Sequence, residues 1–333
     1  MPRSSAKPPE GAMVITLRLI LYVLIVAVWI TPHVTLAEPR LLALSFDDAP
    51  RTDGPWYTGA ERTRRLIDCL ASVGAEGAMF FVTTAFIERF DPERSRLNAY
   101  VQAGHVLANH THTHPWLRNT SAGDYLADVD YAQNLLSGMQ GFVPYFRFPY
   151  LDEGRSAAKR DAVRIGLQAR GLNHGYVTVD NYDWYMQALV SEAVREGLAI
   201  DEARLGEAYV ELLIESIEFY DQLAQTHLGR SPRHVLLLHE NDLAARYIDD
   251  LVLALRDRGW TLIPAVEAYD DPLASRLPDT TFNGQGRVAA LAHEQGVPAR
   301  DLIHPSEDEA WLRQEFERRQ IVHWPELAGP EAE

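Results

Sequence analysis

The stretch RLLALSFDD, residues 40–48, decides how the rest of the chain is read. A short apolar run ends abruptly in two carboxylates, which reads as a buried strand that delivers Asp47 and Asp48 at its C-terminal end. Downstream the same design recurs. GAERTRRLIDCLASVG (59–74) has helical spacing and stops at Gly74, and GAMFFVTT (77–84) is the next strand. RLNAYVQAG (96–104) is a helix, HVLAN (105–109) a short strand, and SAGDYLADVDYAQNLLSGM (121–139) a helix opened by a Ser121 cap with Asp124 three residues on. PYFRFPY (144–150), HGYVTVDNYDW (174–184) and RHVLLLHEND (233–242) each look like a strand that ends in polar residues.

Repeated strand, polar loop and helix units imply a mainly parallel sheet with right-handed crossovers. In a barrel of that kind the chemistry gathers at the C-terminal ends of the strands. Every polar cluster above falls at such an end. From Tyr185 to about His227 the chain is predicted helical, DLAARYIDDLVLALRDRGW (242–260) is another helix, and TLIPA (261–265) the last strand. Residues 271–333 carry helical patches separated by prolines and are expected to pack on the main domain as a C-terminal extension.

Composition is globular, and 333 residues suffice for one large or two ordinary domains. With 31 Lys and Arg against 47 Asp and Glu, the net charge is −16. Nothing forms the basic stripe that phosphate backbones require, so no nucleic-acid partner is expected. A neutral or cationic substrate fits better.

Residues 1–37 differ from the rest. Arg3, Lys7 and Arg18 precede an apolar run from Leu19 to Ile30, and Thr35-Leu36-Ala37 forms a small-x-small site ahead of Glu38. This is the layout of a secretory signal. Cleavage would release the chain, whereas retention of the segment would associate it with a membrane. The expected location is exported: periplasmic, cell envelope or secreted. The single cysteine, Cys69, reads as a small buried hydrophobe, so the fold must rest on its core without disulfides.

HVLANHTHTHPW (105–116) holds four of the twelve histidines. His110 and His114 are four apart, so on a helical turn both rings face one ion. Asp47 and Asp48 supply carboxylates at a strand end, although an adjacent pair is also what a plain turn would show. One carboxylate on a metal loses its freedom to take a proton, while an unligated neighbour acts as general base. Strand alternation would aim the two differently. His239, ending an apolar strand, is a candidate general acid or a structural histidine.

Five ordered motifs then resemble the polysaccharide deacetylases with the NodB homology domain, carbohydrate esterase family four. SFDDAP (45–50) looks like TFDDGP, HTHTH (110–114) like HTxxH, RFPY (147–150) like RPPY, Asp183-Trp184 like the fourth motif and LLLH (236–239) like the fifth. The resemblance implies an α/β fold, a distorted (β/α) barrel of about seven strands, with residues 38–270 as the catalytic domain and 271–333 as a helical extension outside it. It implies that Asp48, His110 and His114 bind a divalent metal, most often zinc. Asp47 would be the general base, oriented by Arg147, and His239 the general acid, paired with Asp183. The Tyr150 N–H would meet the oxyanion, and Trp184 and Leu237 would line the acetyl pocket. The implied reaction removes acetyl from N-acetylglucosamine units of a glycan such as peptidoglycan, chitin oligomers or poly-N-acetylglucosamine. An O-acetyl esterase or small-amide hydrolase on the same site, or an inactive glycan-binding envelope protein, are the alternatives.

Ala49, Phe148 and Leu151-Asp152-Glu153 depart from the family pattern and bear on substrate fit more than on chemistry. His105 and His112 are expected to be bystanders, and Asp180 either positions Asp183 or serves a turn. FNGQGR (282–287) lacks the strand and Lys context of a phosphate loop. His293, His304 and His323 carry no spacing signal. Tyr209, Phe219 and Tyr220 read as helix packing.

Overall fold

The structure, a computed structural model, describes residues 39–325. The expected signal or anchor over residues 1–37 and the end of the extension lie outside them. Strand β1 (Arg40–Ala49) leads to α1 (Gly59–Ser72), β2 (Met79–Val82), α2 (Thr84–Phe90), α3 (Ser95–Gln102) and β3 (Val106–Asn109). Then come α4 (Ala122–Leu136), β4 (Phe142–Phe146), α5 (Ala157–Ala169), β5 (Asn173–His174), α6 (Asp183–Arg195) and α7 (Glu202–Leu228). Strand β6 (His234–His239), α8 (Ala244–Asp257), β7 (Trp260–Leu262) and α9 (Ala265–Ala268) complete the region before the extension, which adds α10 (Gly286–Glu294) and α11 (Glu309–Arg318).

The sheet runs β5-β4-β3-β2-β1-β6, with β7 paired to β1, and every named pair is parallel. Parallel strands covered on both faces need apolar residues at successive positions. Leu42, Ala43, Leu44 and Phe46 of β1, Met79 to Val82 of β2 and Val235 to Leu238 of β6 are accordingly buried. Register puts Asp47 beside His239, so two motifs some 190 residues apart in sequence meet at one strand end.

The ring joins through the chain that follows β5. Val179 bridges Leu236, its neighbour Thr178 donates from its N to Val235 O at 3.0 Å, and Leu237 N donates to Val179 O at 3.1 Å. The segment is extended but irregular, so the expected strand at 174–184 shrinks to Asn173–His174 plus this single bridge. The result is a distorted seven-stranded (β/α) barrel, as expected.

The helix expected from Tyr185 to about His227 is two: Gly197, at φ 69°, follows the end of α6, and Asp201 starts α7 by accepting from Arg204 N at 3.1 Å. Helix α2, only seven residues long, had no readable period. The Ser121 cap forms, accepting from Asp124 N at 3.1 Å.

Beyond residue 270, Leu273, Val288, Leu291, Leu302, Leu312 and Phe316 are buried in the same apolar core as the strands. Helix α10 packs on α7, and α11 on α6. No helix among the described residues is long and apolar enough to cross a membrane.

Candidate active site

Asp47 and Asp48 end β1, and the backbone decides where they point. Asp48 sits at φ 66°, outside the strand pleat. Instead of diverging, both carboxylates therefore face His110: Asp47 Oδ2 lies 3.6 Å and Asp48 Oδ1 3.8 Å from its Nε2. Asp47 Oδ1 accepts from Arg147 Nη1 at 2.6 Å. Arg147 is fully buried and each of its three nitrogens is hydrogen-bonded: Ser45 Oγ at 2.9 Å, Gly175 O at 2.8 Å and the Tyr269 hydroxyl at 3.1 Å are its other partners, and the guanidinium lies over the Phe81 ring. A charge buried this deeply is tolerable because it is paired and hydrogen-bonded throughout.

His110 and His114 are close for a different reason from the one their spacing suggested. Residues 110–114 form a loop, not a helical turn, with Thr111 at φ 69° and His114 at φ 59°. Such conformations cost roughly 1–3 kcal/mol each and persist where surroundings enforce them. Here Asn109 Oδ1 accepts from Thr111 N at 2.8 Å, Thr111 Oγ1 from His114 N at 3.0 Å, and Asp128 Oδ1 from His112 N at 2.6 Å and Thr113 N at 3.0 Å. Fixed in this way, His114 Nε2 stands 3.2 Å from His110 Nε2 and 3.1 Å from Asp48 Oδ1.

These three groups fit a metal. A tetrahedral ion with ligand bonds of about 2.0–2.1 Å has donor–donor edges of about 3.3–3.4 Å, and the three donor separations here are 3.1, 3.2 and 3.8 Å. Asp48 Oδ1 is buried yet receives no hydrogen bond. His110 Nδ1 donates to Arg147 O at 2.9 Å, which leaves the Nε2 lone pair for a ligand. Burial also pushes the His110 ring down to about 4, so it is neutral and able to coordinate. Two imidazoles and one carboxylate are a donor set suited to zinc.

On the facing strand end, His239 Nδ1 donates to Asp183 Oδ1 at 2.6 Å, and His239 N to Asp183 Oδ2 at 2.9 Å. Asn241 Nδ2 adds a third donor at 2.9 Å. Burial alone would lower the His239 pKa, but the adjacent Asp183 carboxylate outweighs it and the net shift is upward. A protonated ring at neutral pH, with Nε2–H available, is what a general acid needs.

Asp47, Asp48, His110, His114 and His239 open on one groove of about 500 Å3, with Arg147 and Asp183 buried behind it. Leu237 and Trp184 line it, as does Tyr150, which is at φ 59° and stacked on Trp116 with ring centroids 3.6 Å apart. The departures from the family pattern sort themselves. The left-handed residue is Asp48 and not Ala49, so the extra Cβ is accommodated. Phe148 is buried against Tyr125, Phe146 and His174, away from the groove, whereas Leu151 lines it. Asp152 pairs with Arg118, and Glu153 with Arg164.

The expected bystanders lie elsewhere. His112 bonds Thr84 Oγ1 at 2.9 Å and packs on Tyr131, while His105 is buried beside Phe80. Cys69 is half-buried, its thiol pushed up to about 11 by burial. Tyr209 and Tyr220 are core residues and Phe219 packs against that core.

Spacing alone gave no sign of a buried charge cluster behind the site. Glu240, next to His239, accepts from Arg96 Nη2 at 2.8 Å, Tyr100 OH at 2.9 Å and Arg51 N at 2.7 Å. Arg62 and Arg96 also reach the carbonyls of Arg51 and Thr52, so the loop after Asp48 and the strand end bearing His239 share one anchor.

Comparison with known proteins finds similarity over part of the chain. Residues 36–169 match the polysaccharide deacetylase family. A chitin deacetylase of Colletotrichum lindemuthianum is 32% identical over 127 residues, covering 36% of this chain and 46% of that protein. A peptidoglycan-N-acetylglucosamine deacetylase of Bacillus cereus is 30% identical over 110 residues, covering 33% of this chain and 36% of that protein. The chain thus spans less than half the length of either relative. Among solved structures, a family 4 carbohydrate esterase from Streptomyces lividans in complex with acetate aligns with a TM-score of 0.46 and 20% identity, over 68% of this chain and 92% of that one. A CE4 family pseudoenzyme from Bacillus anthracis aligns with a TM-score of 0.47 and 15% identity, over 68% and 63%. Family match, ordered motifs and site geometry together support assignment to the polysaccharide deacetylases of the NodB-homology type, carbohydrate esterase family four, with the family match itself spanning residues 36–169.

Proposed function

We propose that the chain is an exported, metal-dependent deacetylase that hydrolyses the N-acetyl group of N-acetylglucosamine units in a glycan and releases acetate. The observation that carries this reading is the convergence in one groove of the Asp48, His110 and His114 donor set with two separately held acid–base groups, Asp47 on Arg147 and His239 on Asp183. Zinc or another divalent ion on those three donors would supply Lewis acidity to the acetamide carbonyl and to water.

Asp47 has no place in the donor set and takes the proton of the attacking water through the carboxylate that Arg147 fixes. The Tyr150 N–H donates to the oxygen that becomes negative as the carbonyl carbon turns tetrahedral. Collapse breaks the C–N bond, and His239 gives its Nε2 proton to the departing amine while Asp183 holds the ring in register. Leu237 and Trp184 provide the apolar wall for the methyl group.

Export rests on the basic, apolar and small-x-small order of residues 1–37. The test is acetate release from chitin oligomers, peptidoglycan and poly-N-acetylglucosamine, each with and without chelator. Chelator-sensitive release from at least one supports the reading. No release from any member of the panel by metal-loaded protein contradicts it.

A further inference from the structure

The groove has a wall that the family motifs do not supply. Asn283, Gly284, Gln285 and Glu309 line it together with Asp47, His114 and His239, and all four come from the extension beyond residue 270. Three of them lie in the glycine-bearing stretch FNGQGR (282–287).

That loop is built into the rim. Asn283 Nδ2 donates to Gly154 O at 2.8 Å, which ties the loop to the turn that carries Tyr150. From α5, Arg160 reaches Thr280 O at 2.9 Å and Arg164 reaches Pro278 O at 2.8 Å. On the barrel side Arg287 N donates to Val177 O at 2.8 Å, and Phe282 stacks on His293. Gly286, at φ 83°, lies so close that a Cβ would sit 2.8 Å from Val177 O. At the tip the crowding ends: a Cβ on Gly284 would meet nothing within 4 Å. Beside it the Gln285 amide makes no hydrogen bond among the described residues, neither capping α10 nor reaching a neighbour.

Glu309 opens α11, which packs on α6, and Tyr182 and Trp184 also face the groove. Its carboxylate is exposed and joins no ion pair among the described residues. The cations of the groove, by contrast, are engaged: Arg51 lies 3.5 Å from Asp48, and Arg118 lies 3.2 Å from Asp152. A rigid rim with a free amide and free backbone edge at one point and an unpaired carboxylate at another suits hydroxyl-rich, uncharged ligands. It repels polyanions.

Resting on the deacetylase reading for the position of the reacting sugar, we infer that the Asn283–Gln285 loop and Glu309 form a sugar-binding wall that selects uncharged N-acetylhexosamine oligomers over carboxylated ones. Gln285 hydrogen-bonds a sugar adjoining the one that carries the acetamide. Glu309 turns away glycans with carboxylates in that place.

The experiment uses the metal-loaded full chain with N-acetylglucosamine oligomers of one to six units and with a glucuronate-containing N-acetylglucosamine oligosaccharide. Binding is followed by titration calorimetry and turnover by acetate release, with thermal melts confirming that each variant folds. Gln285→Ala is expected to raise Kd and KM for the tetramer three- to tenfold while kcat changes less than twofold, and Gln285→Asn to recover part of the loss. Glu309→Lys is expected to improve binding of the carboxylated oligosaccharide at least threefold relative to the neutral tetramer. Folded Gln285→Ala and Glu309→Lys proteins indistinguishable from wild type in every Kd and KM overturn the inference, as does a wild-type chain that binds no oligomer. Gln285-dependent binding without acetate release sustains the wall and contradicts the deacetylase reading instead.

Discussion

Asp183 receives both hydrogens that His239 can offer it, the Nδ1–H at 2.6 Å and the backbone N–H at 2.9 Å. One carboxylate thereby sets ring orientation, tautomer and charge together. Asp183→Asn removes the main opposition to burial and leaves only the weaker pull of Asp48, so the His239 pKa falls from its raised value. Because the ring must be protonated to release the amine, the alkaline limb of the kcat–pH profile moves to lower pH. At neutral pH, kcat drops by roughly 10²-fold or more, the scale of general acid–base catalysis. A pH–rate profile of the variant checks the direction. A limb that stays in place contradicts the pairing.

Arg147 holds Asp47 from the fully buried side of the site. Arg147→Ala strands a buried carboxylate, and losing one partner of such a pair costs about 3–5 kcal/mol. Arg147→Lys cannot reproduce the forked contacts to Ser45, Asp47 and Tyr269, so it restores stability only in part. Urea unfolding of the two variants measures the difference.

Metal affinity should separate the histidines of the 105–116 stretch. His114→Ala removes a donor atom that lies 3.1 Å from Asp48 Oδ1, whereas His112 bonds Thr84 and packs on Tyr131. Zinc titration is expected to show severe loss for His114→Ala and less than threefold loss for His112→Ala. Equal losses contradict the split.

Asp128 touches no donor of the set, yet it fixes the loop backbone at His112 and Thr113. Asp128→Ala is expected to weaken zinc binding about 10- to 100-fold, the usual effect of removing a group that orients ligands. The same titration, with a thermal melt to confirm folding, decides it.

Much of this arrangement was legible in the sequence because strands buried on both faces must be apolar throughout. Residues 40–48, 79–82 and 234–239 show it, with their polar residues at the ends. The order of the five motifs placed the same groups that the structure brings to one groove. Three features escaped for physical reasons. The approach of His114 to His110 depends on left-handed residues at 111 and 114, which side-chain spacing does not report. The anchor formed by Arg62, Arg96 and Glu240 joins positions up to 178 apart, so no local pattern marks it. The wall from Asn283 to Gln285 becomes visible only once the extension is folded against the barrel, since its glycines and amides resemble any surface loop.

The most direct test of the central claim compares acetate release from an N-acetylglucosamine tetramer by four samples: metal-loaded wild type, the same protein after chelation, the chelated protein with zinc restored, and metal-loaded Asp47→Asn. Release by wild type that disappears on chelation, returns with zinc and falls at least 10²-fold in Asp47→Asn is the predicted result. Equal release by wild type and Asp47→Asn, or release indifferent to chelator, would contradict it.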